Sequence, residues 1–178
     1  MPSKALIQVA NDYNRRHVFE SIGIEQSKAL SLNLPKVLRH VRSLRDHFYQ
    51  DIAKRTASAK HFTQGKAKII DQHTIEVNNT LFNTKAIIIA IGGKPLIPEA
   101  WEPYNKLLLT TDNLFDQTDL PKRIAVIGGG MIGLEMGQAL SHLDVDVTCF
   151  HSRSFIGGIS DPVINDEASQ CIGNKLQF

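Results

Sequence analysis

Apolar positions follow three patterns along the chain, and each predicts different elements. Up to about residue 58 the period is helical. Leu6, Val9, Ala10 and Tyr13 fall on one side of a helix predicted from Pro2 to about Val18. Pro2 suits its first turn, where a missing N–H costs nothing. After Gly23 a second helix is predicted from Leu34-Pro35 towards Ser58. Val37, Val41, Leu44 and Phe48 should face inward, and Lys36, Arg39, Arg42, Arg45 and Lys54 largely outward. From Gly65 the period changes to two. Residues 66–70, 74–77 and 80–82 alternate, separated by Asp71-Gln72-His73 and Asn78-Asn79, which predicts a small antiparallel meander. The run 86–91 is apolar throughout, and 85–91 predicts a buried, parallel strand ending at Gly92-Gly93, with Pro95 and Pro98 fixing an extended exit. A connector occupies 99–121.

The third pattern is an apolar strand at 123–127, a glycine turn, a helix and a second strand at 145–150. Gly128 permits the turn off the strand, Gly130 admits a pyrophosphate to the backbone, and Gly133 lets the helix sit close to the strand. Gly137 lies one turn further along the same face, with Met136 and Leu140 inward and Gln138, Ser141 and His142 read as solvated. A glycine fingerprint alone is weak. Flanked by a strand, a helix and another strand it points to a dinucleotide site, built from Gly128, Gly129, Gly130, Met131, Ile132 and Gly133 at the turn and helix start. The competing reading, glycines that merely pack, fits this spacing poorly. An acidic residue about 20 positions on accepts the ribose of NAD, whereas arginine suits the 2′-phosphate of NADP. Here that place holds His151-Ser152-Arg153 and no carboxylate, which leaves both cofactors open.

Bulk composition narrows the classes. The 178 residues carry a net charge of +2, too near neutral to argue for nucleic acid or an anionic membrane. The arginines of the second helix are interrupted by Asp46 and Asp51 and read as a solvated face. No apolar run approaches the roughly 20 residues of a membrane helix, and none behind Met1-Pro2-Ser3-Lys4 forms a signal-peptide core. Cys149 and Cys171 lack metal or C-x-x-C spacing, and Cys149 reads as a small buried hydrophobe. A reducing, cytoplasmic setting is expected. Residues 154–161 are predicted as a loop, a helix starts at Pro162, and 176–178 read as the entry to another strand.

Taken in order, the motifs resemble one family. A Pro-Ser-Lys start, a helix pair, a meander opened by Gly65-Lys66-Ala67, a strand ending Ala90-Ile91-Gly92, Leu120-Pro121, and Val126-Ile127-Gly128-Gly129-Gly130 with Glu135 resemble the flavin-dependent pyridine nucleotide–disulfide oxidoreductases. Within that family the pattern is most similar to the dihydrolipoamide dehydrogenases. The resemblance implies an α/β fold with parts of two Rossmann-like domains, FAD-binding over 1–118 and NAD(P)-binding over 119–178. It implies FAD, NAD or NADP, a dithiol or disulfide substrate of lipoamide type, and a homodimeric family. It further implies a catalytic pair, Lys4 near the flavin and Glu135 as its ionic partner, with Met131 as a gate over the nicotinamide. Gly65 and Ala67 would touch the FAD adenine, and Ala90 and Gly92 its diphosphate–ribose arm.

The departures from the family pattern concern chemistry. An upstream flavin fingerprint, the paired redox cysteines and a His-Glu acid–base dyad do not occur in these residues. An interior fragment beginning just after the cysteine pair, inactive and aggregation-prone alone, is therefore expected. The alternatives are a stand-alone NAD(P)-binding module and a piece of a mercuric, glutathione-type or transhydrogenase flavoprotein.

Overall fold

The computed structural model describes residues 2–152 and 155–173, with Lys28 by its backbone alone. They form two compact units, one from Met1–Arg45 with Asn113–Phe178 and one from Asp46–Asp112. This partition cuts across the expected 1–118 and 119–178 division, because the N-terminal helices pack with the glycine-turn unit. The expected strand entry at 176–178 lies outside the described residues.

In the first unit, helix α1 (Pro2–Asn14) is followed by the short α2 (Arg16–Phe19). Helix α3 (Leu34–Ala57) begins in this unit. Strand β4 (Arg123–Ile127), helix α4 (Met131–His142) and strand β5 (Asp146–Phe150) make the predicted β-α-β unit. The two strands are parallel, with Arg123 opposite Asp146 and Ile127 opposite Phe150. Helix α5 (Pro162–Gly173) follows. Leu6 and Ala10, one turn apart on α1, are fully buried and join Leu38 and Val41 of α3 and Leu140 and Leu143 of α4 in one core. Each fully buried leucine contributes about 1.5–3 kcal/mol.

Two expectations about facing are corrected here. Helix α3 buries Leu38 and Val41, while Leu44 and Phe48 are nearly half exposed. Its inward stripe is rotated because the other flank carries polar ties: Arg42 donates to the Gln117 carbonyl and Arg45 pairs with Asp116 at 2.6 Å. These arginines, read as outward, hold the 114–117 turn. His142, read as solvated, is buried, with Nδ1 3.3 Å from the Asn11 side-chain oxygen of α1.

The second unit contains the meander. Strands β1 (Ala67–Ile69), β2 (Thr74–Val77) and β3 (Thr80–Asn83) pair antiparallel in sequence order. Asn78 and Asn79 both take left-handed backbone, φ 50° and 63°, as a two-residue hairpin turn of matching twist demands. Gly65 is required by the same corner, because a Cβ there would lie 2.6 Å from Val77 Cγ1. The expected strand at 85–91 is corrected. No strand is assigned there, and Ile88 and Ile91 are about nine-tenths exposed. A strand buried on both faces needs neighbours on its edges, and the described residues pair none with it.

Candidate functional site

Strand β4 delivers the chain to Gly128, whose N–H donates to the Phe150 carbonyl of β5 at 2.8 Å. Its φ of +117° is backbone that a residue with a Cβ rarely adopts. The first helical bond of α4 follows at once, from Leu134 N–H to the Gly130 carbonyl at 3.0 Å. The amides ahead of it point out of the helix start with its partial positive charge. Gly133 is there for closeness, since a Cβ would overlap the Gly128 carbonyl oxygen. Gly129 is held for the same reason against His151, whose Cβ lies 2.9 Å from where its own would stand. Gly130 differs: a Cβ added there meets nothing within 4 Å. Its smallness serves no neighbour among the described residues, which is the condition expected of a glycine that clears space for a ligand.

That space is a cavity of about 580 Å³ lined on one side by Gly128 to Met131 and His151-Ser152, and on the other by Phe155 and 157–160. The second wall is built, not draped. Gly157 N–H donates to the Gly129 carbonyl at 2.6 Å, and Ile156 N–H to the buried Asn165 side-chain oxygen at 2.8 Å. Asp161 caps α5 by accepting from the amides of Val163 and Ile164. The sequence pattern predicts only a plain loop over 154–161. The signal was Gly157-Gly158 just before an Asp-Pro helix start, and both glycines take positive φ, 63° and 80°.

The remaining candidates divide. Met131 lines the cavity and is 71% exposed, open to a ligand at the helix start, and Ile132 beside it is also exposed. At the end of β5 the lining residues are His151 and Ser152, with no carboxylate among the described lining. Arg153 lies outside the described residues. Lys4 and Glu135 are both exposed, and none of the ion pairs among the described residues joins them, so the expected salt bridge is not formed here. Each is a long side chain on an open face, where a single geometry is costly to hold. Gly65, Ala67, Ala90 and Gly92 belong to the second unit. The space at Gly65 is filled by Val77 and Asn78, while Ala67, Ala90 and Gly92 are exposed.

Redox chemistry finds no pair in the chain's own thiols. Cys149 and Cys171 are both free, and burial in β5 raises the Cys149 pKa, which keeps it a protonated, unreactive thiol. Among the described residues no cluster of His, Cys, Asp or Glu is arranged to hold a metal, and no helix is long and apolar enough to cross a membrane.

Comparison with known proteins agrees with this geometry. The family profile described as pyridine nucleotide-disulphide oxidoreductase matches residues 1–177. A mercuric reductase of Lysinibacillus sphaericus is 28% identical over 176 residues, 97% of this chain and 32% of the relative. A dihydrolipoyl dehydrogenase of Bacillus subtilis is 28% identical over 193 residues, 100% of this chain and 40% of the relative. Among solved structures, LpdA from Mycobacterium tuberculosis superposes with a TM-score of 0.74 at 23% identity, covering 98% of this chain and 40% of that one. The HOCl-induced flavoprotein disulfide reductase RclA from Escherichia coli gives 0.66 at 17%, with 99% and 38% covered. These two establish the fold alone. In each case the chain spans well under half the length of the protein it matches.

Proposed function

This chain belongs to the pyridine nucleotide-disulphide oxidoreductase family, and from that premise we propose that its cavity binds a nicotinamide dinucleotide. We assign the chain to an FAD-dependent enzyme of dihydrolipoamide dehydrogenase type, passing electrons between NAD(P)(H), FAD and a dithiol or disulfide. The observation that carries the reading is Gly130, which crowds no neighbour among the described residues and is placed where the helix start meets the cavity. The fit to a dinucleotide rests on that open position.

The chemistry supplied by a bound nicotinamide is hydride transfer; the chain's residues bind and orient. Amides at the start of α4 hold a diphosphate, with Gly128 turning the backbone out of its way. Met131 borders the opening. Lys4 and Glu135 remain the proposed catalytic pair. Family membership supports FAD as the second cofactor, but the corner at Gly65 is filled by Val77 and Asn78 and supplies no cradle for it. The 1–118 and 119–178 domain division, a homodimer, a lipoamide-like substrate and a cytoplasmic setting belong to the same proposal.

Local chemistry also bears on the choice between NAD and NADP. His151 and Ser152 offer donors and no carboxylate, which favours a 2′-phosphate over a bare 2′-hydroxyl. Calorimetric titration of the 178-residue chain with NADPH and NADH tests both statements. Binding of neither overturns the dinucleotide reading, and NADH tighter by about tenfold overturns the preference alone.

A further inference from the structure

Helix α4 ends in a Schellman motif: Asp144 N–H donates to the Ser141 carbonyl and Val145 N–H to the Leu140 carbonyl, each at 3.1 Å. The residue after the cap must take left-handed backbone and is usually glycine. Here it is Asp144, at φ +61°. A residue with a Cβ kept in that conformation calls for a reason in its side chain. Both carboxylate oxygens are engaged by the N-terminal helices. Tyr13 OH donates to Oδ2 at 2.7 Å and Arg16 Nη2 to Oδ1 at 2.5 Å. Arg16 is nearly buried, stacks 3.5 Å above the Tyr13 ring, and donates through Nη1 to the Tyr13 carbonyl. Its own carbonyl accepts from the buried Ser27 hydroxyl.

Tyr13 and Asp144 are 131 residues apart, and so are Asn11 and His142, the next contact up the helices. A constant offset means that α1 and α4 run side by side in the same direction. Lys4 and Glu135 share the offset, and each stands seven residues before Asn11 and His142. Seven residues are about two turns, so both point along the same faces one step nearer the glycine turn.

We infer that Asp144 is a positioning residue: it locks the register of α1 on α4 and so holds Lys4 level with Glu135 beside the dinucleotide cleft. The inference rests on the proposed reading of that cleft, and it concerns reach, since the two side chains are not bonded to each other here. The test is zero-length carbodiimide coupling of the Lys4 amine to the Glu135 carboxylate in the full chain, read by peptide mass. Asp144→Gly keeps the backbone at ease and removes only the carboxylate. Its coupling yield should fall about tenfold, the population change that loss of a charge-assisted bond brings, with NADPH affinity within about twofold of the parent. Tyr13→Phe with Arg16→Gln, which strips the same contact from the other side, should reproduce the loss. Unchanged yield in Asp144→Gly, no coupling in the parent, loss of affinity together with yield, or a double variant that couples normally each overturns the inference. Failure of the parent to bind NADPH or NADH would instead sink the dinucleotide reading and leave the coupling result standing.

Discussion

The side-chain oxygen of Asn165, buried in the first turn of α5, accepts the Ile156 amide at 2.8 Å and so fixes the second wall of the cleft. Ile156 is itself 2% exposed, so its N–H has no ready route to water. The next residue, Gly157, bonds the Gly129 carbonyl, which makes one continuous connection from α5 to the glycine turn.

Asn165→Leu keeps the volume and removes the acceptor. Leaving a buried amide unsatisfied costs about 1–3 kcal/mol, and dinucleotide affinity should fall about tenfold as the wall loosens. Asn165→Asp, which keeps an oxygen in place, should lose less of both. Thermal unfolding and NADPH titration of the two variants decide the matter; equal losses would show that the oxygen is not what holds the wall.

The glycines of the turn should separate by role. Gly130→Ala should leave thermal stability near that of the parent and abolish measurable NADPH binding, because none of the described residues lies within 4 Å of the methyl and the proposed diphosphate does. Gly133→Ala should fail at the level of the fold, because the methyl meets a backbone oxygen that cannot step aside. Circular dichroism melts and titration on the same samples compare them, and normal binding by Gly130→Ala would remove the main support for the site.

Stability should fall at alkaline pH through Tyr13. Burial first, then its hydrogen bond and proximity to Asp144, raise the Tyr13 pKa above the ordinary 10.0, against a smaller lowering by Arg16. The neutral phenol is therefore favoured by folding. Its contribution is intact below the unfolded pKa and is lost as pH rises through the folded one. Urea unfolding from about pH 9 to 12 should show a decline that Tyr13→Phe shallows. The same slope in both proteins would assign the decline to other groups.

The two cysteines should react unequally. Cys171 is exposed on α5, whereas Cys149 is 1% exposed in β5 with its thiol held protonated by burial. Native iodoacetamide treatment should label Cys171 alone, and denaturant should release Cys149. Equal native labelling, read by mass, would mean that β5 opens freely.

Sequence pattern by itself determined the elements whose physics is local. The glycine turn between β4 and α4 was legible because Gly128 and Gly133 answer backbone needs set within a few residues. The meander was legible from its two-residue alternation and its Asn-Asn turn. The resemblance carried by motif order was legible too, and family comparison bears it out. What the pattern could not decide was which way a helix turns and what meets across distance. Leu44 and Phe48 satisfy helical spacing as well as Leu38 does, yet they stay half exposed while Leu38 is buried and Arg42 and Arg45 tie the helix to the 114–117 turn. His142 looked solvated until Asn11 of α1 stood against it. The run 85–91 has the composition of a buried strand, yet burial is supplied by neighbours, and none of the described strands pairs with it. The left-handed turn at Asp144 likewise depends on partners far along the chain, and a contact between distant residues leaves no period for a sequence to show.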